Sequence, residues 1–289
     1  MMRTKLLFSY WDLKRRLLRD LFAEYPKPYP QLFMDSGAFT ASTKGVKIDI
    51  KEYAQWIREN REYIHTYANL DVIGNAEATW ENQQRLEDMG LNPLPVFHTR
   101  EPWEYLERYV EKYDYVGLGG LVPFAKGRDP VYVPWVLKCF KMAKDKCVFH
   151  GFGVTNWEAL KNFPWYSVDS TSWLAGTQYG QVPIWDRKQN RIKKIDLYSK
   201  QWFELSDLMR SYGLDPKMFA DRSKYVRDEA VKISAVAYEK AEAYLKVRHG
   251  KVSLNDKNDG LHLYLGSNST DARTVTRFRS LTHMNGVTA

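Results

Sequence analysis

The chain has 289 residues, 44% hydrophobic and 27% charged, a balance that supplies a sizeable core and excludes a disordered tail. Lysine and arginine number 43 against 35 acidic residues, a formal charge of +8, so a polyanionic partner suits the charge. Two cysteines, Cys139 and Cys147, are too few for a disulfide framework or a four-cysteine zinc site. No apolar run reaches the length of about 18 residues that a membrane span needs, and MMRTKLLFSYWDLKRR lacks the apolar core and cleavage site of a signal peptide. The expectation is a protein of the cytoplasm, the host cytoplasm if phage-encoded, with no membrane partner.

In chain order, short apolar runs alternate with segments of helical periodicity. The predicted strands are Lys5 to Tyr10, Leu32 to Phe39, His65 to Ile73, Pro93 to His98, Tyr115 to Leu121, Lys146 to Phe152 and Tyr166 to Thr171, with an eighth at Leu261 to Gly266. Between them DIKEYAQWIRENREYI opens on Asp49 as N-cap with Glu52 three residues on, and sets Tyr53, Trp56, Ile57 and Ile64 on one helical face. TNWEALKNF repeats the signal with Thr155 and Glu158. Eight strand candidates joined by crossover helices, with no G-x-G-x-x-G after the first, favour a TIM-type (β/α)8 barrel over an open doubly wound sheet.

The alternation breaks at Gly176. GTQYGQVPIWDRKQNRIKKIDLY reads as a hairpin turning at Lys188-Gln189-Asn190, with Arg187, Lys188, Arg191, Lys193 and Lys194 at its tip and return arm. A helical stretch from Tyr198 to His249 follows, carrying Lys217, Arg222, Lys224, Arg227 and Lys232. The predicted organisation is seven βα units over 1–175, a basic hairpin and helical insertion over 176–260, and the last strand with a helical, then frayed, tail over 261–289.

Active sites of such barrels form at the C-terminal ends of the strands. Three aspartates end predicted strands: Asp35 in LFMDSGAF, Asp71 in YANLDVIG and Asp169 in YSVDSTSW. One aspartate after a strand is as readily a helix cap, but Asp35 and Asp169 close their apolar runs directly, where burial tunes a carboxyl for acid–base or nucleophilic work. Two such groups suit chemistry at an anomeric carbon. Gly117, Gly119 and Gly120 admit either a flat ligand or tight packing, and Phe39 either stacks on a planar base or fills the core. His98 and His150 have no metal-binding spacing and read as hydrogen-bonded pocket residues.

DSGAF, the LD of YANLD, GLGGL, HGFGV and VDSTS, in that order between about Leu32 and Asp196, resemble the motif series of the tRNA-guanine transglycosylase superfamily. The resemblance implies Asp169 as the nucleophile at C1′ and Asp35 as the general acid and base. It implies Phe39 as the stacking aromatic, Asp71 as the reader of the base's N–H edge, and Gly119, Gly120 and Leu121 as backbone readers of its carbonyl. Ser36, Gly37, His98, His150 and Gly151 fall within or beside these motifs and are further candidates for the substrate pocket, while the hairpin's basic residues would contact nucleic acid. Bacterial tRNA enzymes of the family carry a zinc site of three cysteines and a histidine, for which this chain lacks a third cysteine. The shorter, zinc-free form resembles the phage and bacterial branch (DpdA-like) that exchanges guanine in DNA for a free 7-deazaguanine such as preQ0. The implied partners are DNA and that base, with tRNA the alternative polymer. No metal or other cofactor is expected, and a homodimer is compatible with the reading. A non-catalytic nucleic-acid-binding barrel and a base-removing glycosidase are the competing classes.

Overall fold

The computed structural model describes residues 4–121, 132–154, 156–175, 180–196, 203, 206–211, 215–219, 227–250, 252–254, 260–267 and 272–276. Strands and helices alternate from the start: β1 (Lys5–Ser9), α1 (Tyr10–Leu13), α2 (Leu18–Ala23), β2 (Gln31–Asp35), α3 (Ala38–Thr43), α4 (Ile50–Glu59), β3 (Ile64–Tyr67) and α5 (Ala76–Asp88). The pattern continues through β4 (Val96–His98), α6 (Trp103–Lys112), β5 (Tyr115–Gly119), α7 (Tyr132–Ala143), β6 (Val148–Gly151), α8 (Trp157–Asn162) and β7 (Ser167–Ser170). A hairpin of β8 (Gln181–Asp186) and β9 (Arg191–Asp196) follows, then α9 (Ser206–Ser211), α10 (Arg227–His249) and β10 (His262–Gly266).

Eight strands form one all-parallel curled sheet in the order β3-β2-β1-β10-β7-β6-β5-β4. The last strand of the chain thus returns between the first and the seventh, the neighbourhood a TIM-like sheet requires. Its two ends meet at a single parallel bridge, Ala68 to Leu94. There Leu94 N–H donates to the Tyr67 carbonyl and Asn69 N–H to the Leu94 carbonyl, both at 2.8 Å. Pro93 and Pro95 flank Leu94 and have no N–H to offer, so no continuous ladder closes this seam.

Side chains on each strand alternate between two cores. Leu32 and Met34, Val116 and Leu118, Phe97, Phe149, Val168, Leu263 and Leu265 join the helices' Tyr53, Ile57, Leu106, Tyr109, Val136 and Leu160 in the larger core. Phe33, Val96 and Tyr264, with Leu7, Tyr115 and Phe152 against them, form a separate inner cluster. Asp35, His98, His150 and Asp169 have the parity of the inner set, and this alone carries polar groups into the curl.

Asp49 caps α4 as expected, accepting from Lys51 and Glu52 N–H at 2.7 and 3.0 Å. Several boundaries differ from the sequence reading: β2 ends at Asp35 rather than Phe39, and β3 at Tyr67 rather than Ile73. Ile64 opens β3, because α4 ends at Glu59. Asn156, not Thr155, caps α8, accepting from Glu158 and Ala159 N–H; Thr155 itself lies outside the described residues. Within the stretch from Tyr198 to His249 the described residues form α9, a 3-10 turn at Pro216–Phe219 and the long α10. Arg222, Lys224 and most of the tail lie outside the described residues, apart from helical backbone over 272–276.

The hairpin turns where expected, with Asp186 accepting from Lys188 and Gln189 N–H and Asn190 at φ 48°. Its inner face packs on α10 and α8 through Trp185, Trp157 and Tyr244, whose ring centroids lie 5.5–6.1 Å apart. α10 is tied to the sheet by charge as well: the buried Lys5 ammonium is hydrogen-bonded to Glu242 Oε1, and Glu242 Oε2 accepts from Leu263 N–H at 2.9 Å. Lys246 Nζ lies 3.1 Å from the same Oε1, so removing Glu242 takes one carboxylate from two ammonium groups and from the Leu263 amide. Glu242→Gln is therefore expected to destabilise the fold by about 3 kcal/mol or more, and the double variant with Lys5→Met to recover much of it. Urea unfolding of the three proteins measures both, and a single variant within about 1 kcal/mol of the parent would contradict this role.

Candidate active site

The three aspartates gather at the C-terminal end of the curled sheet. Asp35 is the last residue of β2, paired with Ser9 of β1. Gly37, in the left-handed region at φ 72°, turns its N–H back to Asp35 Oδ2 at 3.3 Å. A Cβ at Gly37 would lie 2.4 Å from Ser9 Oγ and 2.5 Å from Trp11 Cβ, so this turn requires glycine. Burial, then the charges of Asp71 and Asp169, push the Asp35 carboxyl up to about 7, against the opposing pull of the Gly37 and Ser36 amides.

Asp71 sits beyond β3 in an irregular stretch whose backbone is satisfied by α5. Asn82 Nδ2 donates to the Leu70 carbonyl, and Val72 N–H donates to Thr79 Oγ1, each at 2.9 Å. Asp71 Oδ2 lies 3.4 Å from His98 Nε2, while His98 Nδ1 lies 3.3 Å from Glu101 Oε1. Burial works against a charged His98, but the two flanking carboxylates outweigh it and raise the imidazole to about 10. His98 is thus an imidazolium clamped between two acids. Burial also raises Asp71, with His98 pulling it back in part.

Asp169 lies on β7 opposite Tyr264 of β10, with 6% of its surface exposed. Gly153 N–H donates to its Oδ1 at 2.8 Å, and His150 Nε2 lies 3.4 Å from the same oxygen, out of line for a hydrogen bond. His150 is fully buried among Phe33, Phe152 and Tyr264, and burial lowers its pKa, so it is neutral. Its Nδ1 is 2.6 Å from Ser167 Oγ, which is 2.5 Å from Tyr115 Oη. Tyr115, Ser167 and His150 thus form a hydrogen-bonded chain, with His150 Nε2 on the Asp169 side. Gly153 N–H is the donor that holds Oδ1, with His150 Nε2 beside that oxygen but not bonded to it.

Three buried side-chain atoms without a hydrogen-bond partner, Ser9 Oγ, Asp71 Oδ1 and His150 Nε2, share this end of the sheet. Buried polar atoms are normally satisfied, so unmet donors and acceptors here suit a polar ligand. Among the described residues no group of three or more His, Cys, Asp or Glu side chains is placed to hold a metal ion.

The glycines serve the protein's own packing. A Cβ at Gly119 would lie 2.6 Å from His98 Cδ2, one at Gly117 2.7 Å from the Phe152 ring, and one at Gly151 2.5 Å from Val154. The Gly119 and Gly120 carbonyls accept from Thr99 N–H and Oγ1 at 3.2 and 3.1 Å, and Leu121 is buried. Ser36 is buried too, its Oγ accepting from Ala38 N–H at 3.4 Å at the start of α3. Phe39 belongs to α3 rather than to β2 and is 67% exposed, which removes the core-packing reading. Arg187, Lys188, Arg191, Lys193 and Lys194 are all exposed on the hairpin.

Sequence reasoning did not find Glu101, Tyr115, Ser167 or Gly153. The three-residue spacing from His98 to Glu101 was a faint signal for the first; the others are joined to the site by strand register and a loop, which no local pattern reveals. No family model, curated protein or solved structure matches the chain.

The Asp35 shift has a signed consequence. Its folded value lies above the ordinary carboxylate range, so its contribution to stability is complete below about pH 4, declines as pH rises, and is lost above about pH 7. Asp35→Asn escapes this penalty. The variant is expected to gain little at pH 4 and, at pH 8, on the order of 4 kcal/mol at most relative to the parent. Thermal or urea unfolding across that range tests it, and a pH-independent difference would show that Asp35 is not held protonated.

Proposed function

We propose that the chain is a (β/α)8-barrel transglycosylase that exchanges a guanine base in DNA for a free 7-deazaguanine such as preQ0 through a covalent Asp169–deoxyribosyl intermediate. The observation that carries this reading is the pair of differently held carboxyls, Asp35 pushed up to about 7 and Asp169 gripped on one oxygen by Gly153 N–H. A proton carrier poised near neutral pH and an oriented nucleophile are what a double displacement at an anomeric carbon needs. The resemblance of the motif series supplies the identity of the base.

In the first step Asp169 Oδ2 forms a bond to C1′ as the C1′–N9 bond breaks. The electron pair leaves on the purine, which takes a proton from Asp35. In the second, the incoming base gives its N9 proton to the Asp35 carboxylate, N9 bonds to C1′, and the ester to Asp169 breaks, returning the charge to its carboxylate. Two inversions give net retention, and no ATP or redox cofactor enters the balance. Asp71 Oδ1, which lacks a partner, accepts from the base's N–H edge, and the exposed Phe39 stacks on its face. Flipping the target base costs a few kcal/mol, offset by this stacking and by phosphate contacts from the hairpin's Arg187, Lys188, Arg191, Lys193 and Lys194. DNA is preferred to tRNA on the zinc-free resemblance alone, since both polymers offer phosphate.

Radiolabelled guanine or preQ0 incubated with DNA and, in parallel, with tRNA tests the reading. Label is expected in DNA. Label in tRNA alone moves the substrate to the alternative polymer, and no label in either with folded protein overturns the activity. Asp169→Asn is expected to lower exchange by about three orders of magnitude or more and to abolish covalent trapping, and retained exchange would remove Asp169 as nucleophile.

A further inference from the structure

A second basic surface lies at the same end of the sheet, in the turns that follow α1 and α3. Trp11, the second residue of α1, lies two residues beyond the C-terminal end of β1, and Gly37, beyond β2, packs against Trp11 Cβ. Lys14 Nζ lies 3.8 Å from the centre of the Trp11 ring and Lys44 Nζ 5.6 Å from it. The ring thus gathers ammonium groups from two separate segments onto one spot. Arg15, Arg16 and Lys47 are exposed in the same two segments.

None of these five cations forms an ion pair among the described residues, although surface cations elsewhere do. Lys112 meets Glu87 at 2.7 Å, Lys161 meets Glu158 at 2.8 Å, and Arg210 meets Asp207 and Arg273 meets Glu24 at 2.9 Å each. Unneutralised positive charge drawn together around an aromatic ring is the pattern of a surface that tracks a nucleic-acid backbone. The sheet order sets β10 between β7, which leads towards the basic hairpin, and β1, which leads into α1. Asp169, one residue short of the end of β7, and Asp35, the last residue of β2, lie in that same sector, so a strand running from the segment after β7 to those after β1 and β2 would cross it.

We propose that Trp11, Lys14, Arg15, Arg16, Lys44 and Lys47 form a second contact surface that holds single-stranded DNA on the side of the site away from the hairpin. The surface follows from charge and geometry, whereas the assignment of DNA rests on the transglycosylase reading. A single strand is specified because the carboxyl groups lie inside the curl, where a base still stacked in a duplex does not reach.

Fluorescence anisotropy with a labelled oligo-dT strand tests the surface without requiring catalysis. In a protein carrying Lys14→Gln, Arg15→Gln, Arg16→Gln, Lys44→Gln and Lys47→Gln, affinity at about 0.1 M salt is expected to fall about tenfold or more. The slope of log Kd against log salt is expected to shrink by about 2, at about 0.7 for each phosphate that is no longer neutralised. Lys44→Gln with Lys47→Gln, confined to exposed positions, gives a smaller loss of the same kind should the larger set fail to fold. Parent affinity and slope in the variants, no binding by the parent, or tighter binding of oligo-U than of oligo-dT each overturns the proposal. A parent that binds through these residues yet transfers no base leaves the surface standing and removes the transglycosylase reading. Unaltered strand binding beside intact base exchange removes the surface alone.

Discussion

Three carboxyl groups share one end of the sheet's interior, and their mutual repulsion is the constraint to which the neighbouring residues are fitted. Ionised carboxylates in such a place are tolerated only with compensation. Each of the three finds a different one. Asp71 shares the charge of His98 with Glu101, Asp169 receives the Gly153 amide, and at Asp35 burial and the neighbouring carboxylates outweigh two backbone amides and push the carboxyl up to about 7. His150 cannot add a positive charge because its surroundings, Phe33, Phe152 and Tyr264, are aromatic. Its Nδ1 instead meets Ser167 Oγ, which in turn meets Tyr115 Oη, while its Nε2 faces Asp169 without a hydrogen bond.

Delivering these groups to one place is the work of strand parity. In a parallel sheet covered by helices, alternate residues face the helices and the interior. Leu32 and Met34 turn to the helices while Phe33 joins the inner cluster, and Asp35 follows with the parity of Phe33. A one-residue slip in β2 would exchange Asp35 for a core position. The five-residue register between β1 and β2 resists such a slip, and Gly37, fitted against Ser9 and Trp11, fixes the turn that follows. The weak point of the sheet is the β3–β4 seam, where two prolines leave one bridge.

The parts legible in the sequence were those with a local cause. Strand runs, the Asp49 cap and the hairpin turn each follow from a few consecutive residues, and the aspartates that close apolar runs were found for the same reason. What escaped had a distant cause. The clamp on His98 joins a residue of β4 to one beyond β3, and the Tyr115–Ser167 contact joins residues 52 positions apart. The glycines of GLGGL illustrate the converse: their spacing suggested a ligand cradle, but the space above Gly119 is taken by His98 and that above Gly117 by Phe152. A missing side chain signals close approach without saying whose atoms approach.

The distribution of charge also bears on what can enter. The net charge is +8, yet the interior end of the sheet is acidic and the unpaired cations lie outside it, on the hairpin and in the turns that follow α1 and α3. A phosphate drawn towards the Asp35, Asp71 and Asp169 carboxyl groups would meet acidic side chains in a poorly solvated space, where any repulsion is far stronger than in water. The same phosphate is attracted at the rim. On the proposed reading, this arrangement would sort a nucleotide into its parts: the backbone at the basic edge and the uncharged base, with N–H donors for Asp71 and a proton to exchange with Asp35, in the acidic interior. Acidic surroundings thus favour a base over a free nucleotide as the incoming group, which is the form of acceptor that the proposed exchange requires.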